Sequence, residues 1–317
     1  MPGAGRRDSL AIDAVLLMAL GGPGAMDEVR PFIQSVLGGR PVPPHRIDEV
    51  VGHYEAVGGR SPLTEWTRAQ ARALEDRLAV EGPAVPVVVG MRCWSPWLAD
   101  AVRELVARRA KRVATILLSA FRDAFTASQY QASLTRATQD AAAADIEFQE
   151  VPAWHDHSLY TEAVADRVNA AAEVAKGIDR AVTPLLFSIH SLPLKAPGVQ
   201  DHVAAVRATA QRVADRLGWR HWQVVYQSRT GRPDEPWLEP DVCSVIRELA
   251  RQGHRSVMIA CPGFVCDHVE VLYDLDIEAA GVARECGMTF ARAGTVGVHP
   301  KFIELLAGIV RQMEADG

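Results

Sequence analysis

The sequence is short of three things: positive charge, cysteine, and apolar runs long enough to cross a bilayer. Lys and Arg number 34 against 39 Asp and Glu, a formal net charge of −5. A phosphate-binding surface needs a basic face, so no nucleic-acid partner is expected. The five cysteines are odd in number and scattered from Cys93 to Cys286. That distribution suits reduced thiols better than a disulfide framework. Ala14 to Leu20, AVLLMAL, is typical of the apolar runs and falls far below the ~20 residues of a spanning helix. The first ten residues, MPGAGRRDSL, carry two arginines but no long apolar segment, so they do not read as a secretory signal. The expected compartment is the cytoplasm.

What the sequence does have is alternation. Its 317 residues, 48% of them hydrophobic, suffice for two domains of ordinary size. Short apolar segments at 14–20, 87–91, 113–118 and 146–151 read as strands, and the pattern returns at 184–189, 222–226, 256–260 and 288–292. Helical patterns separate them, at 26–37, 44–57, 64–80, 96–109 and 128–140, then at 159–175, 199–217 and 241–252. A last helix begins at Pro300, with Phe302, Leu305, Leu306, Ile309 and Met313 on one stripe. Apolar strands alternating with helices specify parallel sheets. The expected fold is α/β, with two similar Rossmann-like, doubly wound four-stranded domains facing an active-site cleft. Residues 8–155 form the first and 156–298 the second, with the helix at 300–315 packing back on the first.

Ligands of open α/β sheets sit beyond the carboxyl ends of the strands, and the chemically unusual residues fall there. They are Gly21-Gly22-Pro23, Arg92, Ser188 to Pro193, Tyr226 to Arg229, and Pro262 to Asp267. His190 is a general base, a metal ligand or a hydrogen-bonded loop residue. Cys261 to Glu278, CPGFVCDHVEVLYDLDIE, leads from a strand into a helix that carries Glu270, Asp274 and Glu278 at i, i+4 and i+8, with no basic residue before Arg284. Such a stripe is either a solvated face or a place for cations. An imidazole and carboxylates in one cleft suit transient binding of Fe²⁺ and removal of a proton from a weak N–H acid. Tyr226 and Trp237 are candidates to stack a flat ligand, or anchors of the core. Arg229 and Arg232 either hold carboxylates or pair with Asp234 and Glu235.

Simpler sites are excluded. Gly22-x-Gly24 lacks the third glycine of a dinucleotide fingerprint, since position 27 is Asp27. No G-x-S-x-G elbow is present. His155-x-His157 reads as exposed polar residues before a helix. The cysteines lack paired metal-site spacing and read as buried thiols.

The segments LLMALGGP (16–23), HYEAVGGRSPL (53–63), GMR (90–92), SIHSLP (188–193), YQSRTG (226–231), PWLEPD (236–241) and PGFVCDHVEVLYDLD (262–276) resemble the ferrochelatases in order and spacing, over about residues 14 to 310. The resemblance implies insertion of Fe²⁺, a substrate and not a cofactor, into a porphyrin in haem biosynthesis. It implies that His190 and Glu270 are catalytic and bind iron, with Asp274 the next metal-binding carboxylate and Glu278 and His268 continuing the acidic track. Ser61 and Tyr130 fall where relatives contact the porphyrin, and Arg92, Tyr226 and Ser228 complete the expected substrate-binding set. Leu20 stands where some relatives have a tyrosine that ligates iron, and 119–130 is less typical. No iron–sulfur cluster is expected, because no cysteine-bearing C-terminal extension is present. The segments at 42–62 and 228–241 resemble the coproporphyrin III branch more than the protoporphyrin IX branch. The expected state is a monomer without a transmembrane segment, making transient contacts with neighbouring haem-pathway enzymes. The alternatives are a non-catalytic tetrapyrrole carrier and a cobalt or nickel chelatase of the same fold.

Overall fold

The computed structural model describes residues 11–229 and 235–316. The expected domain start at residue 8, and Arg232 with Asp234, lie outside the described residues. The first half runs β1 (Ala14–Ala19), α1 (Met26–Leu37), α2 (Pro44–Ala56), α3 (Leu63–Val80), β2 (Val87–Met91), α4 (Leu98–Ala107), β3 (Arg112–Leu117), α5 (Ala124–Asp140) and β4 (Glu147–Glu150). The second runs α6 (Ser158–Val174), β5 (Leu185–His190), α7 (Val199–Leu217), β6 (Trp222–Gln227), α8 (Val242–Arg251), β7 (Ser256–Ala260), α9 (Val269–Val271), a π-helical segment (Leu272–Ala279), α10 (Ala280–Glu285) and β8 (Thr289–Arg292), and α11 (Pro300–Asp316) closes the chain.

Each half holds a four-stranded parallel sheet, in the orders β2-β1-β3-β4 and β6-β5-β7-β8. The strand order reverses beside β1 in one sheet and beside β5 in the other. Crevices open at the carboxyl ends of such strands, so the topology directs attention to Leu20–Pro23 and to His190.

Alternation along the strands sorts the core. Val15, Leu17 and Ile116 join Leu74, Tyr160, Phe302 and Leu306, and the same cluster continues to Leu185, Phe187 and Met258 of the second sheet. The two sheets therefore share one apolar interior, filled by α3, α6, α7 and α11. The terminal helix lies against α3 of the first half and equally against α6 of the second. On the other face of β5, Leu186 packs with Val271, Leu275 and Ala279 of the acidic segment. His190 is four residues beyond Leu186, so the period of two turns it to the side where those carboxylates lie.

Three expected elements differ. The helix expected over 96–109 starts at Leu98, because Met91 N–H donates to the Pro96 carbonyl at 2.8 Å and ties the intervening loop to the strand end. The helix expected from 128 starts at Ala124, capped by the Asp123 carboxylate, which accepts from Thr126 N–H at 2.8 Å. The acidic stretch is not one regular α-helix but passes from α9 through a π-helical segment into α10.

Candidate active site

His190 ends β5 beside Gln227 of β6, its register partner. Its Nδ1 lies 2.5 Å from the Ser191 carbonyl oxygen. A carbonyl only accepts, so Nδ1 carries the proton and Nε2 presents a lone pair. That nitrogen faces Glu270 Oε1 at 4.0 Å, too far for a hydrogen bond and open to a species lying between. The side chains are 31% and 37% exposed respectively, so the pair stands at an accessible edge.

Glu270 is held from both sides. Its backbone N–H donates to His268 Nδ1 at 3.3 Å, and its carbonyl accepts from Gln227 Nε2 at 2.9 Å. His268, expected on the acidic track, thus serves as the cap of α9. Burial lowers its pKa and keeps the ring neutral enough to accept.

Asp274 lies one π-helical turn on and is buried, at 8% exposure. The Ser228 hydroxyl donates to its Oδ2, and Gln227 Nε2 approaches the same oxygen at 3.4 Å. Ser228 adopts φ 57°, an uncommon left-handed conformation for a residue with a side chain. Burial pushes the Asp274 carboxyl up to about 7, and the charges of Glu270 and Glu278 add to the effect against the two hydrogen bonds. Burial likewise raises Glu278. A π turn takes in more residues than an α turn, so carboxylates four apart stay closer to one line. The three acids form a succession of stations rather than a single cage. Among the described residues no three His, Cys, Asp or Glu side chains group tightly enough to hold one ion.

Arg292, at the end of β8, locks this segment. It pairs with Asp276 at 2.6 and 2.7 Å and with Asp267 at 3.3 Å. The acids on either side of Glu270 are thereby tied to one guanidinium.

The helical pair α1–α2 covers the site from the first half. Phe32 meets Tyr54 and Trp94 edge-on, with centroids 6.3 and 6.0 Å apart, and Val269 packs into the same cluster. Burial and the charge of Glu270 raise the Tyr54 pKa, which keeps the phenol protonated beside that carboxylate. At the rim His53 stacks on Tyr273, centroids 3.7 Å apart and 12° from parallel.

The remaining expected residues divide. Arg92 lies over the Tyr130 ring at 5.4 Å and has a buried Nε without a partner. Ser61 is buried under Gly22, and its Oγ accepts from Leu63 N–H at 3.3 Å. Tyr226 points into the shared core, on the other face of β6 from Gln227. The Ser228 hydroxyl is spent on Asp274. Arg229 Nη2 donates to the Glu235 carbonyl at 3.0 Å, and Trp237 is a buried side chain. Of the cysteines, Cys243, Cys261 and Cys266 have thiols pushed up to about 12 by burial, so they are neutral. His155 packs on Phe121, and His157 caps α6 through Nδ1, so the two do not share a site.

Sequence reasoning missed Tyr54, the His53–Tyr273 stack, Arg292 and the role of the Gln227 side chain. Gln227 and Arg292 carried a signal, each standing at the end of an expected strand.

A family model described as ferrochelatase matches residues 12–314. A ferrochelatase of Rhodopirellula baltica is 38% identical over 95% of this chain and 86% of its own length. A coproporphyrin III ferrochelatase of Mycolicibacterium smegmatis is 37% identical over 96% and 90%, and one of Frankia alni 39% identical over 96% and 80%. Among solved structures, SirB of Bacillus subtilis with Fe³⁺ superposes with a TM-score of 0.61 at 11% identity, covering 96% of each chain. CbiX, described as the terminal enzyme for biosynthesis of siroheme in denitrifying bacteria, gives 0.55 at 16% identity, covering 95% of this chain and 98% of its own. At those identities the likeness is one of fold.

Proposed function

The chain belongs to the ferrochelatase family, lyases that insert iron into a porphyrin in haem biosynthesis, and from that premise we propose that it metallates coproporphyrin III through His190 and Glu270. The observation that carries the proposal is the facing pair itself, His190 Nε2 and Glu270 Oε1 at 4.0 Å. A lone pair and a carboxylate beyond the end of a central strand suit removal of two pyrrole protons as Fe²⁺ enters.

In this reading the Ser191 carbonyl keeps His190 in the tautomer with Nε2 free to take a proton. Glu270 takes the second proton or receives the cation. Asp274, poised near neutrality, exchanges a proton for a cation behind it. Arg92, held over the Tyr130 ring just past the end of β2, is the cation proposed to meet a propionate. Ser61 and Gly22 shape the turn against which the ring would lie.

Coproporphyrin III is favoured over protoporphyrin IX because relatives at 37% and 39% identity bear that name. Among the described residues no helix is long and apolar enough to cross a membrane. The proposed setting is the cytoplasm, with porphyrin and ferrous iron as the bound species. The proposed division is 8–155 with 300–315, and 156–298.

An anaerobic assay with Fe²⁺ tests this, run with coproporphyrin III and protoporphyrin IX in parallel. His190→Ala is expected to abolish metallation and keep porphyrin binding. Glu270→Gln is expected to lose most of the rate. Wild-type rates in His190→Ala would remove that residue from the chemistry, and faster turnover of protoporphyrin IX would reverse the choice of substrate. Binding of both porphyrins without turnover would favour a carrier.

A further inference from the structure

We propose that Gln227 is the positioning residue that sets the spacing of His190 and Glu270, an inference that rests on the functional reading above. Gln227 is the register partner of His190 in the sheet. Its backbone carbonyl accepts from Ser191 N–H at 2.8 Å, and the Ser191 carbonyl is the group that holds His190 Nδ1. Its side chain reaches the other way. Nε2 donates to the Glu270 carbonyl at 2.9 Å and approaches Asp274 Oδ2 at 3.4 Å. One residue therefore holds the backbone behind the imidazole and the backbone under the carboxylate.

The amide is itself fixed. Ser188 Oγ–H donates to Gln227 Oε1 at 2.6 Å; the Glu270 carbonyl, which only accepts, assigns the nitrogen to its side, where Nε2 also lies 3.4 Å from both Asp274 Oδ2 and Ser228 Oγ. Gln227 is 2% exposed. If that position served packing alone, an apolar side chain of like volume would fill it without needing every polar atom satisfied. Glu270 also stands just before the change from α to π pairing, where the helix shifts its hydrogen-bond register. An external donor on its carbonyl fixes how that residue is presented. Gln227 touches neither metal nor ring; it acts through the residues it holds.

The test compares wild type, Gln227→Leu and Ser188→Ala. Porphyrin titration by absorption counts folded, binding-competent sites. Steady-state metallation gives kcat per site and KM for Fe²⁺, and crystal structures give the His190–Glu270 gap. For Gln227→Leu, porphyrin affinity within twofold of wild type is expected, with kcat per site at least tenfold lower, a raised KM for Fe²⁺ and a gap displaced from 4.0 Å. A kcat per site within twofold of wild type and an unchanged gap would overturn the proposal. Should Gln227→Leu fail to fold, Ser188→Ala decides: it releases only the amide oxygen, and a severalfold loss of kcat at unchanged porphyrin affinity is expected. Wild-type kcat there would also overturn it. If wild type itself does not metallate porphyrin, the functional reading falls, and the gap in the variants still decides the role of Gln227.

Discussion

Asp274→Asn is expected to make the protein more stable and the enzyme slower. The wild-type carboxyl moves from an ordinary value of 3.8 to about 7 on folding, chiefly through burial. A folded-state pKa above the unfolded one means that the native state binds more protons between those values. The contribution of this carboxyl to stability is then fully present below pH 3.8, is lost as pH rises toward 7 and is flat above it. Once ionised, the carboxylate costs on the order of 4 kcal/mol, at about 1.4 kcal/mol per tenfold change in proton affinity. Asparagine removes that charge and still accepts from Ser228. Its new N–H bonds, where they lack acceptors, return ~1–3 kcal/mol of the gain. Urea unfolding of both proteins at pH 5 and pH 8 reads this group together with its charge coupling to Glu270 and Glu278, while uncoupled titrations cancel in the difference. The advantage of Asp274→Asn is expected to grow by about 3 kcal/mol between the two conditions. Metallation by the variant is expected to fall at least tenfold, since the station behind Glu270 no longer carries charge. An advantage that does not change with pH would refute the burial argument, whatever happens to the rate.

Other perturbations separate scaffold from chemistry. Arg292→Met leaves Asp267 and Asp276 without their shared cation; because those carboxylates remain 22% and 35% exposed, the change is expected to cost ~1–3 kcal/mol, measured by urea unfolding at pH 7. Gly22→Ala puts a methyl 2.7 Å from Ser61 Cβ and Oγ. It is expected to cost ~1–3 kcal/mol and to weaken porphyrin binding in absorption titrations more than it lowers kcat. Tyr273→Ala opens the stack with His53 and is expected to speed porphyrin association in stopped-flow mixing; an unchanged on-rate would mean that the stack does not guard the entrance.

Much of this molecule was legible without coordinates, for a physical reason. Buried parallel strands read as continuous apolar runs and helices as an apolar stripe of period 3.6, so β2, β7 and α7 appear in the structure with their expected bounds. The rule that ligands sit beyond carboxyl strand ends singled out His190, Arg92 and the loop after β7. Helix periodicity set Glu270, Asp274 and Glu278 on one side. Those inferences need only local geometry.

Tertiary structure decided the rest. The acidic segment is held by Gln227 of β6 and by the Arg292 clamp, partners separated from it in sequence and silent in its periodicity. Whether a strand-end side chain enters the site or the core depends on which sheet face it takes: His190 turns toward the acids, whereas Tyr226 turns into the shared interior. Ser61 is buried because a turn packs it against Gly22. Burial itself, which brings Asp274 to about 7, arises from the packing of distant elements around a carboxylate, and a sequence records the carboxylate but not its surroundings.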